Sequence, residues 1–262
     1  MEKSFFSNAV VKNIAYVTMF IDHFFVVVYR VFMQEHEMAG GEMASMEQIY
    51  SAGRAIGRIS FILFAYLAVE GFLHTRSRKK YLLRLGAFAL VSEIPFDLAF
   101  SGECFEWGSQ NVFFTLFLGV LVLTVWEWAM QKNHKAAASA ALLLCCAAAY
   151  GLRTDYKFMG VLLIFALYWT RGRNLSEQMA AAGCVMLFGT WGANCLKYAG
   201  SYSLTYLFQF SMGEMYGLFA FIPIALYNGE RGRQMPKAFC YSFYPVHLLL
   251  LYGASWMLKG GI

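Results

Sequence analysis

Charge is what this sequence has least of. Asp, Glu, Lys and Arg make up 14% of its 262 residues, against about 25% in soluble domains. No stretch is polar enough to form a separate soluble domain, so residues 1–262 read as one integral-membrane domain. The net charge of +5 falls in short clusters between apolar runs, and nucleic acid is not an expected partner. The opening MEKSFFSNAVVK lacks the basic start, short apolar run and small-residue cleavage site of a secretory signal, so the first helix is expected to stay in place. Six cysteines lie mostly in apolar stretches without metal-ligand spacing, and no metal is expected. A Cys104–Cys195 disulfide is not the default reading. Nucleotide loops, metal motifs, the GxSxG elbow and internal repeats are also missing.

What is present is apolar length. Hydrophobic residues make up 59% of the chain and group into nine segments, roughly 8–33, 50–74, 79–100, 110–131, 136–152, 157–170, 177–197, 203–228 and 238–258. Most reach the ~20 residues needed to cross a bilayer. The expected fold is all-α, a polytopic transmembrane helix bundle of about nine spans, with eight to ten as the range. The fifth and sixth segments are short enough to be tilted half-helices. The eighth carries Gly213, Glu214 and Gly217 and is expected to break there. Residues 34–49 read as the longest external connection.

Basic residues follow the even-numbered segments: Arg76, Arg78, Lys79, Lys80 and Arg84, then Lys132 and Lys135, Arg171 and Arg173, and Arg231, Arg233 and Lys237. With Lys3 and Lys12 these are fourteen of the twenty-one Lys and Arg. The first and third loops are acidic or mixed, with Glu35, Glu37, Glu42, Glu47, Glu103 and Glu106. The positive-inside rule then puts the N-terminus in the cytoplasm and the C-terminus outside. A multi-pass protein of a bacterial cytoplasmic membrane is expected, with membrane lipids as partners and a homo-oligomer left open.

Ionisable residues inside spans mark function by default. In Lys12–His23, KNIAYVTMFIDH, ten residues separate Lys12 from His23. Eleven helical steps of roughly 100° return both side chains to one face and climb about 16 Å, half of a ~30 Å hydrocarbon core. His23 therefore falls near the midplane. Asp22 points about 100° away from its neighbour, so Glu93 or Asp97 of the third segment is the better candidate to orient His23. Arg54 and Arg58 lie i,i+4, as do Glu93 and Asp97. Because segments two and three run oppositely, Arg54 matches the depth of Asp97 and Arg58 that of Glu93, which predicts a two-rung ion-pair ladder. Pro95, between the acids, removes a backbone hydrogen bond. FYPVH at 243–247 brings a second deep histidine, His247. Its plain reading is buried structure, and its functional reading is a polar centre shared with His23, without required contact.

At the basic end, HTRSRKKYLLR (74–84) reads first as a topology anchor touching anionic lipid. As a phosphate site it would use Thr75, Arg76, Arg78, Lys79, Lys80 and Tyr81. Gln110 and Asn111 open the fourth helix as a cap or cavity lining. Asp155, Tyr156, Asn194 and Lys197 read as capping or snorkelling groups, and Trp107, Trp128 and Trp169 as interface anchors.

The ordered set KNIAYVTMFIDH, GRISFILFAYLAVEGFLHTRSRKKYLLRL (57–85), SEIPFDLAF (92–100), QNVFFTL (110–116) and FYPVHLLLL (243–251) resembles the TraX family of membrane proteins. The member that names that family is implicated in N-acetylating a pilin subunit. The family in turn resembles transmembrane acyltransferases that use cytosolic acyl-CoA, many with Arg, ten residues and His in the first helix. Lys12 and His23 stand at that spacing, with the guanidinium fork replaced by an ammonium. The resemblance implies acetyl-CoA as cosubstrate, its phosphates at Lys12 and residues 75–81. The acceptor amine or hydroxyl (of a peptide N-terminus, sugar or lipid) would enter from the outer side. Residues implied for catalysis are His23, as general base or as carrier of the acyl group itself, with Asp22, Arg58, Glu93 and Asp97, and for acceptor binding Arg54, Gln110, Asn111 and His247. A competing reading is a proton-coupled transporter with His23, Glu93 and Asp97 as relay, although the missing internal repeat disfavours it.

Overall fold

A computed structural model of the chain describes residues 5–36, 40–197 and 212–260. Lys3, Glu37 and the first part of the eighth apolar segment lie outside the described residues. All regular elements among the described residues are helical. Helix α1 spans Asn8–Phe24 and continues through a π-helical turn, Phe25–Tyr29, into α2, Arg30–Glu35. Helix α3 is Gly40–His74, α4 Arg78–Ser101, α5 Val112–Gln131, α6 Lys135–Gly151, α7 Lys157–Trp169 and α8 Leu175–Lys197. A 3₁₀ helix, Met212–Ala220, precedes α9, Phe221–Ala225, and α10 is Lys237–Leu258.

Among the described residues, three helical stretches are long and apolar enough to cross a membrane by length and composition: Asn8–Glu35, Gly41–His74 and Val112–Gln131. Helix α4 has the length, but Arg78, Lys79, Lys80, Arg84, Glu93 and Asp97 dilute its hydropathy. Helices α6 and α7 have 17 and 13 residues, about 25 and 20 Å of rise. The expected break at Gly213, Glu214 and Gly217 is corrected: all three lie inside the 3₁₀ helix, which continues directly into α9 at Phe221. The reading of 34–49 as a connection is corrected, because α3 begins at Gly40. Residues 41–49, GEMASMEQI, are mostly good helix formers. An apolar run locates a hydrocarbon core, not the end of a helix that extends past it.

The basic connections gather at one end of the bundle. There Phe6 N–H donates to the Leu226 carbonyl (2.8 Å) and Asn228 N–H to that of Phe6 (2.9 Å), tying the N-terminal segment to the 226–230 loop. Tyr227 reaches Glu70 near the end of α3 (3.4 Å). Glu127 of α5 accepts from both Arg78 and the Tyr168 hydroxyl. At the opposite end Gln110 and residues 153–155 exchange backbone hydrogen bonds. The largest apolar core joins α1, α3, α4, α5, α7, α8 and α9, with Ile62, Leu63, Phe72, Leu123 and Ile164 almost fully buried. Outward faces remain apolar too: Leu90 and Leu143 are each 70% exposed, an inversion of the soluble pattern suited to lipid.

Helix α1 lies against α3 at two glycines. A Cβ on Gly57 would collide with the Asp22 side chain, and one on Gly53 with the Phe25 ring, whereas one on Gly41 would meet nothing. Such small-xxx-small spacing lets helix backbones approach closely. Gly53→Ala and Gly57→Ala are each expected to destabilise the bundle by about 1–3 kcal/mol, with Gly41→Ala neutral or slightly stabilising. Thermal unfolding of the three variants in detergent tests this ordering.

Candidate functional site

Helices α1 and α10 run parallel and in register. Lys12 Nζ donates to Gln234 Oε1 (2.8 Å), the Tyr16 hydroxyl to the Cys240 carbonyl (3.3 Å), and His23 Nδ1 meets His247 Nε2 at 2.7 Å. Cys240 and His247 of α10 are each 224 residues from their α1 partners, so the contact advances in step along both helices, and Gln234, in the segment leading into α10, continues it to Lys12. The Lys12 face and the His23 face of α1 are thus one face, turned toward α10, as the ten-residue spacing predicts.

The two histidines form a hydrogen-bonded chain. His23 is 8% and His247 3% exposed. Their rings are nearly parallel, 7° apart, with centroids separated by 5.0 Å. With nitrogens at 2.7 Å, that separation belongs to rings laid edge to edge in one plane, not face to face. His247 Nδ1 lies 2.7 Å from the Phe243 carbonyl oxygen. A carbonyl only accepts, so Nδ1 of His247 carries its proton and a neutral His247 offers the lone pair of Nε2. His23 Nδ1 then donates, and Nε2 of His23 is left as the basic nitrogen. Phe100 and Tyr244 meet the His23 ring edge-to-face at 5.6 and 5.9 Å.

On the other side of α1, Asp22 Oδ2 pairs with Arg54 Nη1 of α3 at 2.6 Å. The absence of side chains at Gly53 and Gly57 admits this approach. The π-helical turn begins two residues after His23; single π turns inside α-helices are frequent at functional sites.

One turn further along α3, Arg58 Nη1 pairs with Glu214 of the 3₁₀ helix (3.2 Å) and donates to the Tyr156 hydroxyl (3.3 Å). Tyr156 holds φ +59° and Lys157 φ +44°, a left-handed conformation costly for side chains of this size. The Tyr156 ring stacks on Phe61 at 3.6 Å. Asp155, in the link between α6 and α7, feels Arg58 and Arg54 against Asp22 and Glu214; burial dominates and raises its carboxyl to about 6. Arg58, Asp155, Tyr156, Lys157, Thr190 and Glu214 help line a cavity of about 240 Å³. Asp22 Oδ1 and Glu214 Oε2 are buried without a hydrogen-bond partner among the described residues.

The predicted ladder does not form. Arg54 and Arg58 answer Asp22 and Glu214, while Glu93 Oε2 accepts from both the backbone and the side-chain amide of Asn111, which is fully buried. Asn111 also caps α5, its Oδ1 accepting from Phe113 N–H (2.9 Å). Asp97, 2% exposed, accepts from Glu106 N–H at 3.0 Å. The two acids therefore pin the 101–111 connection. Matching depth did not decide the pairing, because α1 and the 3₁₀ helix occupy the α3 faces that carry the arginines. The orienter of His23 is also corrected: it is His247, and no hydrogen bond or ion pair among the described residues joins His23 to Glu93 or Asp97.

At the basic end, Arg78 is engaged by Glu127, Tyr81 donates to the Ala68 carbonyl (3.4 Å) and Thr75 to that of Ser77 (3.3 Å), leaving Arg76, Lys79 and Lys80 exposed. Gln110 pairs through its backbone with the 153–155 link. Glu214, Asp155 and Tyr156 are the site residues whose importance the sequence reading missed. A carboxylate between two glycines of an apolar segment needs a countercharge, and Arg58 was the available signal.

A family model described as TraX protein matches residues 7–255. A probable fimbrial assembly protein, FimC of serogroup H1 from Dichelobacter nodosus, is 27% identical over 222 residues, covering 80% of this chain and 85% of that protein. No solved structure matches the chain.

Two outcomes follow from the charge pairing. Asp22→Asn or Arg54→Gln alone should destabilise by up to about 3–5 kcal/mol, with the double variant costing less than the sum; a thermal-unfolding cycle measures the coupling, and additivity would refute the pair. Because the folded pKa of Asp155 lies above its unfolded value, its stabilising contribution is complete below pH ~4 and is lost as pH rises through about 6. Asp155→Asn should therefore flatten the fall in melting temperature between pH 4.5 and pH 7.

Proposed function

Because this chain belongs to the TraX protein family, we propose that it is a membrane-embedded acyltransferase, moving an acetyl group from cytosolic acetyl-CoA to an acceptor amine or hydroxyl. It crosses a bacterial cytoplasmic membrane about nine times, N-terminus inside. Segregation of the basic connections to one end of the bundle supports that orientation.

The observation that carries the reading is the chain Phe243 carbonyl–His247–His23. It holds one tautomer and leaves a lone pair on Nε2 of His23 in a nearly buried site, as a general base requires. In the transfer, Nε2 takes the proton of the acceptor as its nitrogen or oxygen attacks the thioester carbonyl. The carbon–sulfur bond then breaks, and the imidazolium returns its proton to the leaving thiolate. His247 Nε2 accepts a stronger hydrogen bond from the charged ring and positions it. Arg54 and Arg58, each held by a carboxylate, supply positive potential for the oxyanion. Lys12 and His23 share a face about 16 Å apart along the axis, a span suited to a ligand whose phosphates stay at the basic end while its thioester lies deep. Exposed Arg76, Lys79 and Lys80 would meet those phosphates, while Arg78, Thr75 and Tyr81 shape that end through their own bonds.

The relative's name ties that protein to fimbrial assembly, which makes a pilin-type polypeptide the first acceptor to assay. With purified protein, His23→Ala is expected to abolish transfer from radiolabelled acetyl-CoA while leaving its binding largely intact. His247→Ala should lower kcat by about 10²–10³, and His247→Gln, which keeps an acceptor, should recover part of the loss. Neutralising Arg76, Lys79 and Lys80 together should raise the Kd for acetyl-CoA. Absence of acetyl-CoA binding at any concentration would remove the enzyme reading.

A further inference from the structure

At the basic end, away from the histidines, the ends of α5 and α7 line a cavity of about 580 Å³. Trp126, Glu127, Tyr168, Trp169, Arg171 and Arg173 line much of it. Arg171 lies 3.7 Å over the Tyr168 ring and donates to the Tyr168 carbonyl at 2.8 Å, which fixes its guanidinium while leaving other N–H groups free. The acid in the wall is already answered: Glu127 takes Arg78 on one oxygen and the Tyr168 hydroxyl on the other. Among the described residues the Arg173 guanidinium pairs with the exposed Glu177, at 3.1 Å. The cavity therefore presents net positive charge within an aromatic wall, where Trp126 packs edge-on to Trp169 with centroids 5.7 Å apart. Trp169 and the neighbouring Trp128 are each 53% exposed.

We propose that this cavity binds the phosphate headgroup of an anionic phospholipid. Indole rings beside arginines at the end of apolar helices match the chemistry of a membrane interface, and basic pockets between helix ends hold acidic headgroups. A phosphate on a nucleotide-bearing thiol would share that chemistry, but position favours the lipid. Helix α3 stands between this cavity and the His23 face: α1 packs on its Gly53 and Gly57, while Phe72, Leu123, Ile164 and Leu167 fill the space among α3, α5 and α7. Among the described residues, this packed apolar layer separates a ligand in the cavity from His23. The site is independent of the acyltransferase reading.

The test uses full-length protein released from detergent micelles into native mass spectrometry, after titration with phosphatidylglycerol, phosphatidylcholine, coenzyme A or inorganic phosphate. Wild type should retain phosphatidylglycerol in preference to phosphatidylcholine. Arg171→Gln with Arg173→Gln should weaken that retention roughly thirtyfold, while Lys132→Gln with Lys135→Gln, outside the cavity lining, should change it far less. Size-exclusion profiles and helical circular dichroism confirm that the variants fold. Equal retention of the two lipids, an unchanged Arg171/Arg173 variant, or displacement of the lipid by coenzyme A or phosphate at lower concentrations would each overturn the proposal.

Discussion

The ion pair between Asp22 and Arg54 is the contact on which the geometry of this bundle turns. Removing one partner would leave a charge in an apolar interior, where it costs several kcal/mol. That cost fixes how α1 is rotated: once Asp22 faces α3, the next residue must face about 100° away, and His23 is delivered to α10. The pair also needs its helices close together, and Gly53 and Gly57 remove the side chains that would hold them apart. Asp22 is thus a positioning residue, acting on His23 through the rotation of a helix.

The same requirement organises the next turn of α3. Arg58 draws Glu214 and Tyr156 from parts of the chain that are 156 and 98 residues away in sequence. Tyr156 accepts a left-handed backbone to reach it. Buried charge here does the work that apolar packing does elsewhere, selecting which helices become neighbours. Lipid offers apolar helices little reason to prefer one another, whereas a guanidinium prefers a carboxylate strongly.

What could be read from the sequence follows from this division. Apolar runs and the clustering of Lys and Arg anticipated most helices and the collection of basic loops at one end, because both depend only on local composition. The shared face of Lys12 and His23 was legible because one helix obeys one periodicity. The pairing of Arg54 and Arg58 was not, because depth is a one-dimensional coordinate and three helices compete for the faces of α3. His247 was recognised as deep, yet its bond to His23 depends on a parallel register between the first and last long helices, which no local pattern encodes. The start of α3 was missed because helix propensity continues where hydrophobicity stops.

The parallel register of α1 and α10 gives the histidine pair a history in time. His23 precedes His247 by 224 residues, roughly 10–45 s of synthesis at ordinary rates. Through that interval α1 can settle against α3, but its other face waits for α10. The basic nitrogen of His23 is oriented only when α10 arrives, so a chain interrupted before that point holds an unoriented imidazole. Arrival of α10 and completion of the site are the same event.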